Sequence, residues 1–505
     1  MNAITDILNI MSSEDLSAFS KYLNSKNKRK DTLNTTLLKM LKTDDIKLNE
    51  KLYGTKNNAA YHALRKRLYS SLIEFMANRS FENNTGEEHE IMRLLMVSKV
   101  LFEHKLYKEA FKCLAKAEAK AVKLEYFALL NDIYQTQLQY AHFDKDFDLE
   151  TAISKSSANR NKLYNEEQLN LAYAVMRKEL ADIYHNGKIT DIQQLITDTL
   201  IKFGISLKDV LTFKSLYQML FIANEYASIN SDYSLIEPFA KQGYKFISVR
   251  EELTEKHLYY HIYILYFIAN IHFRNKRFDQ CTEYLDRMAA QMQKQNKKYY
   301  SRFAAKYLLL KSLNENYSGA PGLAEGTIRK ALAESEKYDP ADKHDLLLFA
   351  IVFRIQHNDT REAAKLMRSF SHTDSWYEKK MGMEWGIKRS LVEILLHAQL
   401  ENTELALSRI KSFKRRYKKY LTNVKEERVL DYLHLVEKYI IAPENAASKT
   451  YRKQLDNLII SSSHSNADIF VLSFIGWLVA AVYKKPVYGT ILDMVKGYFS
   501  PFHSA

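Results

Sequence analysis

The sequence is unusually poor in glycine and proline. Its 505 residues include only 13 glycines and 6 prolines, whereas average usage is about 7% and about 5%. Sheet-rich proteins and nucleotide-binding folds need glycine for tight turns and phosphate loops, and flexible interdomain linkers are rich in both residues. The shortage argues against those classes and predicts an all-α protein in which short polar turns join the helices.

Cysteine is nearly absent as well. Cys113 and Cys281 lie far apart, each within an apolar pattern of helical spacing, so there is no disulfide framework and no CxxC metal motif. Such residues are usually small, buried hydrophobic side chains. The N-terminal stretch MNAITDILNIMSSEDLSAFS lacks the basic and apolar regions of a signal peptide. We therefore expect a cytoplasmic protein.

Motifs of common catalytic sites are missing, since GxxxxGK[ST], GxGxxG, GxSxG and HExxH do not occur. His257 and His261 are one helical turn apart, but no carboxylate stands at the HExxH position. The acidic segment DKDFDLE at 144–150 lacks the glycine and the final glutamate of a calcium loop. We interpret the histidines as packed helix residues and the segment as a solvated turn. The sequence predicts a non-enzymatic protein with no cofactor and no metal.

One uncharged, apolar segment raises the question of a membrane-spanning helix. IFVLSFIGWLVAAVY spans 469–483, and as a helix it is about 22 Å long, shorter than a hydrocarbon core of about 30 Å. Asp468 precedes it, as suits a helix N-terminus, and Lys484, Lys485 and Pro486 follow it. We interpret it as a buried helix and predict no membrane span.

Two segments, 94–121 and 266–291, share a layout of helix, turn and helix. The shared positions, first segment then second, are the small residues Ser98 and Ala269, the aromatic residues Tyr107 and Phe278, the small residues Ala110 and Cys281, and the large apolar residues Leu114 and Leu285. Small residues at a crossing let two helix axes approach closely. The pattern resembles the tetratricopeptide repeat (TPR), a unit of about 34 residues.

Looser versions place Ala324, Ala363 and Ala406 at the small position, at steps of about 40 residues. The resemblance implies an α-α superhelix, a degenerate TPR-like solenoid in which the first helix of each pair lines a concave face. We expect residues 1–85 to form an N-terminal helical cap, 86–440 the solenoid, and 441–505 C-terminal capping helices.

The sequence contains 34 tyrosines, and the strip HLYYHIYILYFIANIHF is especially rich in them. Tyrosine buries its ring while its hydroxyl stays wet, and it is enriched where proteins meet. If the first helix of this pair lines the concave face, Tyr259, Tyr263 and Tyr266 contact a protein or peptide partner. A scaffold or adaptor is therefore our main hypothesis.

A nucleic-acid-associated regulator is the alternative. The net charge is +14 and the isoelectric point is about 9.2, which favours acidic partners. The first 85 residues also resemble a helix-turn-helix, because a short helix ending at Gly54 precedes a long helix over 57–78 with Leu64, Leu68, Leu72 and Phe75 inside. Candidate contacts with nucleic acid or an acidic partner are Arg65, Lys66, Lys411, Lys414, Arg415, Lys418 and Lys419.

The last five of these cations lie in the stretch KSFKRRYKKY. Their helical spacing puts them in one stripe, and an apolar stripe runs along the opposite side of the helix. The opposite stripe consists of Ile410, Phe413, Tyr417, Tyr420 and Leu421. Since a nucleic-acid platform needs cations and aromatic rings on one exposed face, we expect an amphipathic helix with a positive outer side.

Overall fold

The fold is described by a computed structural model covering residues 3–11, 13–26, 33–41, 52–53, 58–83, 87–186, 191–205, 211–229, 233, 236–424, 426–462 and 468–498. These residues form helices and turns, with no strand among them, which confirms the all-α prediction. Packing divides the chain into two units, Met1–Ser156 and Ser157–Ala505. The boundaries predicted near residues 85 and 440 stay predictions.

The first unit begins with short helices and continues with longer ones. They are α1 (Ala3–Ile10), α2 (Ser13–Lys26), α3 (Leu33–Leu41), α4 (Asn58–Asn83), α5 (Glu87–Glu103), α6 (Tyr107–Lys123), α7 (Phe127–Tyr140) and the start of α8 (Leu149–Asn186). Leu64, Leu68, Leu72 and Phe75 of α4 are buried, as predicted. Most of the short helix predicted to end at Gly54 lies outside the described residues.

The second unit contains the rest of α8 and, following it, α-helices of eight residues or more. They are α9 (Ile192–Lys202), α10 (Phe213–Ile229), α11 (Glu237–Val249), α12 (Leu258–Arg274), α13 (Phe278–Met292), α14 (Tyr300–Ser318), α15 (Pro321–Ala333), α16 (Pro340–Gln356), α17 (Thr360–Met367), α18 (Asp374–Met381), α19 (Met383–Gln399), α20 (Thr403–Asn423), α21 (Arg428–Ile441), α22 (Lys449–Ser462), α23 (Ile469–Tyr483) and α24 (Val487–Val495).

Within the second unit the helices pack as successive pairs. α12 packs on α13, α14 on α15, α16 on α17 and α19 on α20, and the first helix of each pair also contacts the first helix of the next. These first helices begin at Leu258, Tyr300, Pro340 and Met383, roughly 40 residues apart. The spacing agrees with the steps between the small residues in the sequence.

The small residues singled out in the sequence lie where the paired helices meet. Their exposed fraction is 0–1% at Ser98, Ala110, Ala269, Cys281, Ala324, Ala363 and Ala406. Close helix contact accounts for this burial, because a larger side chain would hold the axes apart. Cys281 is a buried hydrophobic residue, as expected. Cys113 is only half-buried, which corrects the expectation there, because it lies on α6 beside the buried stripe of Ala110, Leu114 and Ala117.

The turns inside the pairs explain how the chain manages with little glycine. Lys105, Lys276, Asn358 and Glu401 each follow a first helix in left-handed conformation, with φ of 60° or 61°. The next amide closes the turn by donating to a carbonyl five residues back, for example Arg277 N to His272 O at 2.8 Å. This is the Schellman hydrogen bond, usually formed around glycine. Here ordinary residues adopt the left-handed conformation, at a cost of about 1–2 kcal/mol each.

The apolar segment near the C-terminus is helix α23, with the predicted bounds. Asp468 caps it by accepting a hydrogen bond from the Phe470 amide at 2.8 Å, and Lys484 ends it in left-handed conformation. Nine of its 15 residues are buried. Among the described residues, no helix is both long enough and apolar enough to cross a membrane.

Gly476 of α23 marks a close contact with α24. A Cβ atom at this position would lie 2.8 Å from Ile491 Cγ1 and 3.1 Å from Ile491 Cα. We expect Gly476→Ala to lower the free energy of unfolding by about 1–2 kcal/mol, because overpacking exceeds the gain in helix propensity. Gly489→Ala is the matched control, since a Cβ there meets nothing within 4 Å. Urea unfolding of both variants tests this, and equal effects would contradict it.

Candidate functional site

The three tyrosines predicted to contact a partner lie on one side of α12. Tyr259, Tyr263 and Tyr266 are spaced four and three residues apart, so they follow one another along the helix surface. All three are half-buried. Each presents part of its ring for packing and part to the surface, which is the exposure expected of an aromatic interface residue.

Tyr259 and Tyr263 belong to an aromatic group that we call the tyrosine cluster. Its members are Tyr217 of α10, Tyr259, Tyr260 and Tyr263 of α12, and Tyr299 and Phe303 at the start of α14. Ring centroids are 5.4 Å apart between Tyr259 and Tyr263, and 4.6 Å apart between Tyr263 and Phe303. These mostly tilted or edge-to-face contacts stabilise the cluster beyond its buried area.

Charge and burial set the chemistry of the cluster. The Arg302 guanidinium lies 5.5 Å from the centre of the Tyr259 ring, within the range of a cation–π interaction. Burial raises the pKa of Tyr217 and of Tyr263 well above the ordinary tyrosine value, so both hydroxyls stay neutral at physiological pH. The cluster therefore offers neutral hydroxyls and ring edges beside a fixed cation.

Tyr266 has different surroundings from the other two tyrosines. Burial raises its pKa to about 12, and nearby charges belong to Lys306 of α14 and to Asp342 and Asp345 of α16. Lys306 and Asp342 form an ion pair, and Asp345 accepts a hydrogen bond from Trp385 Nε1 at 2.8 Å. Tyr266 thus lies beside the polar contacts that join successive first helices.

The same side of α12 is covered by α23 at its C-terminal end. Arg274, about three helical turns beyond Tyr263, forms a largely buried ion pair with Asp468. Phe470 contacts the rings of Phe273 and Tyr317, at centroid distances of 6.3 Å and 6.4 Å. The helix predicted only to be buried therefore covers part of the face expected for the partner. The tyrosine cluster lies beyond this covered part of α12.

The basic stripe of α20 has the predicted amphipathic arrangement. Ile410, Phe413, Tyr417 and Leu421 are at most 3% exposed, and Tyr420 is half-buried. Lys411, Arg415, Lys418 and Lys419 are exposed on the outer side. Lys414 departs from this pattern, because it is half-buried and forms an ion pair with Glu437 of α21. The structure separates the aromatic rings from the cations, so this helix lacks a stacking platform.

The candidate contacts at the start of α4 are only partly described. Arg65 is half-buried, with its guanidinium 5.7 Å from the centre of the Tyr61 ring, whereas Lys66 and His62 are exposed. Asn57, where the predicted long helix begins, and the side chain of Asn58 lie outside the described residues. Arg65 and Lys66 are adjacent on the helix and differ in exposure, so Lys66 is the more accessible of the two.

The residues of the two partial metal motifs, the His257–His261 pair and the acidic segment 144–150, take part in packing and helix capping. His257 and His261 are buried beside Phe213, and burial lowers the pKa of His261 to about 4. Asp148 accepts a hydrogen bond from the Thr151 amide at 3.0 Å and so caps the start of α8. The part of the chain that the structure describes contains no group of three or more histidine, cysteine or acidic residues arranged to hold a metal ion.

Sequence patterns missed two features that depend on distant residues. Arg274 and Asp468 are far apart in the sequence, and no local pattern connects them. Four arginines between residues 361 and 409 also line one groove, although each appears alone in the sequence. Helical periodicity reports which side of a helix is buried but not which helix covers it.

Comparison of the chain with known protein families, with curated proteins and with solved structures finds no match.

Proposed function

We propose that the protein is a non-enzymatic cytoplasmic scaffold, a degenerate TPR-like solenoid that binds a protein or peptide partner at the tyrosine cluster. The observation that carries this proposal is the tyrosine cluster, whose half-buried tyrosines pack beside the buried Phe303 of α14, next to the part of α12 that α23 covers. Tyrosine and arginine are the residue types that contribute most to binding at protein interfaces.

The arrangement of the helices supports the solenoid part of the proposal. Solenoid proteins present an extended surface rather than an enclosed pocket, and the contacts between successive first helices support that arrangement. Arg302 adds a cation to the tyrosine cluster, which suits a partner segment with both apolar and polar side chains. The paucity of cysteine supports a reducing compartment.

Nucleic-acid binding is the second candidate, and the exposed side chains of His62 and Lys66 near the start of α4 favour it. Fluorescent duplex and single-stranded probes test it directly at low salt. Electrostatic binding to phosphates must weaken steeply as salt increases. If neither probe binds the full chain at low salt, this candidate is eliminated.

Capture of partners from a lysate of the native cells tests the main proposal. We expect the full chain to retain a specific protein, and Tyr259→Ala/Tyr263→Ala to lose most of it, because truncating aromatic residues at the centre of an interface costs about 2 kcal/mol or more each. Mass spectrometry of the retained proteins measures the change.

Matched variants separate binding from folding. Tyr164→Ala/Tyr498→Ala removes two tyrosines that are 58% and 77% exposed elsewhere in the second unit, and we expect it to retain the partner. Circular dichroism must show that both double variants keep their helices. Equal retention by both would refute the tyrosine cluster as the binding site, and recovery of nucleic acid alone would favour the second candidate.

A further inference from the structure

A groove lined by arginines lies among α17, α18, α19 and α20. Its volume is about 820 Å³, and it is open to solvent. The charged residues along it are Arg361 of α17, Arg368 directly after α17, Asp374 of α18, Arg389 and Glu393 of α19, and Arg409 of α20. Four arginines face two carboxylates, so the groove carries an excess of positive charge.

The short helix α18 shapes this groove. It is inserted between the second helix of one pair, α17, and the first helix of the next, α19. Its Trp376 stacks on His372 with ring centroids 3.9 Å apart, and its fully buried Tyr377 contacts Phe370 and Trp385. These contacts hold the wall of the groove in place, so a ligand does not have to order it on binding.

Two of the arginines are already engaged. Arg389 is 7% exposed, donates to Asp374 Oδ1 at 2.7 Å, and has its guanidinium within 5.3 Å of the Phe370 and Tyr377 ring centres. Arg409 pairs with Glu393 at 2.8 Å. Both carboxylates of the groove are therefore used by these two arginines.

The other two arginines are available to a ligand. Arg361 on α17 and Arg368 directly after it are exposed, and within the described part of the chain they form no ion pair or side-chain hydrogen bond. Two guanidinium groups match the geometry of a carboxylate or a phosphate, to which arginine donates paired hydrogen bonds. Apolar side chains line the groove beside them: Ala364, Met367, Leu396 and Leu400.

We propose that this groove binds an acidic segment of a protein partner, with Arg361 and Arg368 holding a carboxylate or phosphate and the apolar side chains receiving its neighbours. The inference rests on the proposed scaffold function and adds a second contact surface with defined chemistry. A peptide fits better than a nucleic acid, because the buried rings of Tyr377 and Phe370 are not available to stack on successive bases.

Three fluorescein-labelled peptides of equal length test the proposal with the full chain. In the first, leucine alternates with glutamate; in the second, phosphoserine replaces glutamate; in the third, glutamine does. We expect the two acidic peptides to bind more tightly than the glutamine peptide in fluorescence anisotropy. Arg361→Ala/Arg368→Ala should weaken the tighter acidic peptide by about tenfold or more, because charge-assisted hydrogen bonds are lost.

Lys449→Ala/Lys453→Ala is the matched control, because it removes two exposed charges from α22 outside the groove. We expect this variant to bind like the unchanged chain. The proposal is wrong if the glutamine peptide binds as tightly as both acidic peptides, or if the lysine and arginine variants lose affinity equally.

A further variant separates this inference from the proposed function. Tyr259→Ala/Tyr263→Ala should bind the acidic peptides normally, since the tyrosine cluster shares no residue with the groove. If Tyr259→Ala/Tyr263→Ala loses the captured partner but the acidic peptides bind no more tightly than the glutamine peptide, only the groove inference fails. If the acidic peptides bind more tightly than the glutamine peptide but no protein is captured from the lysate, only the scaffold function fails.

Discussion

Asp468→Asn is expected to lower the free energy of unfolding by about 3–5 kcal/mol, because it leaves the largely buried Arg274 without its counter-charge. The side chains of Arg274 and Asp468 are 12% and 5% exposed. The Arg274 guanidinium also lies over the rings of Tyr233 and Phe470, 4.5 Å and 4.9 Å from their centres. A cation held between rings cannot recover full hydration when its partner is neutralised.

Further substitutions of Arg274 and Asp468 separate the contribution of the helix cap from that of the ion pair. Asparagine retains the helix cap on α23, so Asp468→Ala should cost about 1 kcal/mol more than Asp468→Asn. Arg274→Met/Asp468→Asn should cost less than the sum of the single changes, because no uncompensated charge remains. Urea unfolding followed by circular dichroism measures the free energy of unfolding of Asp468→Asn, Asp468→Ala, Arg274→Met and the double variant.

An exposed ion pair provides the control for this cycle. Lys365 and Glu362 are 74% and 38% exposed, so we expect Lys365→Ala to change stability by about 0.5 kcal/mol or less. If Asp468→Asn has an equally small effect, Arg274 is not held in a buried ion pair. Additive effects in the double variant would contradict coupling between the two residues.

Asp345→Asn is expected to stabilise the protein at pH 8 by about 2–3 kcal/mol. Burial raises the pKa of Asp345 to about 6, and the neighbouring charge of Asp342 adds to the rise. In the unfolded chain an aspartate ionises at about 3.9. The folded protein therefore binds more protons between these values, and its stability falls as the pH rises from about 4 to about 6.

Asparagine removes the cost of ionising Asp345, and its side-chain oxygen can still accept the hydrogen bond from Trp385. The gain over the unchanged protein should be largest above pH 6 and small at pH 4, where the native carboxyl is protonated. Asp342→Asn should have the opposite effect, because Asp342 pairs with Lys306. Thermal unfolding at pH 4 and pH 8 tests both. A gain from Asp345→Asn that does not change with pH would contradict the role of ionisation.

Local sequence patterns predicted much of the secondary structure. The spacing of Leu64, Leu68 and Leu72 predicted the buried side of α4, and Ile410, Phe413 and Tyr417 did the same for α20. Asp468 and Lys484 predicted both ends of α23. These predictions succeed because helical periodicity and end signals operate within a few residues. The TPR-like superhelix and the binding of a partner stay predictions.

The sequence by itself determined that this protein is built from helices, since so few glycines and prolines leave little alternative, and small residues such as Ala363 and Ala406 determined where paired helices could approach. Only the tertiary structure decided that α23 covers one end of the α12 surface, and that Arg361, Arg368, Arg389 and Arg409 line one groove. The physical reason is distance along the chain. Periodicity specifies which side of a helix avoids water, whereas its partner is chosen by packing among residues that are far apart in sequence.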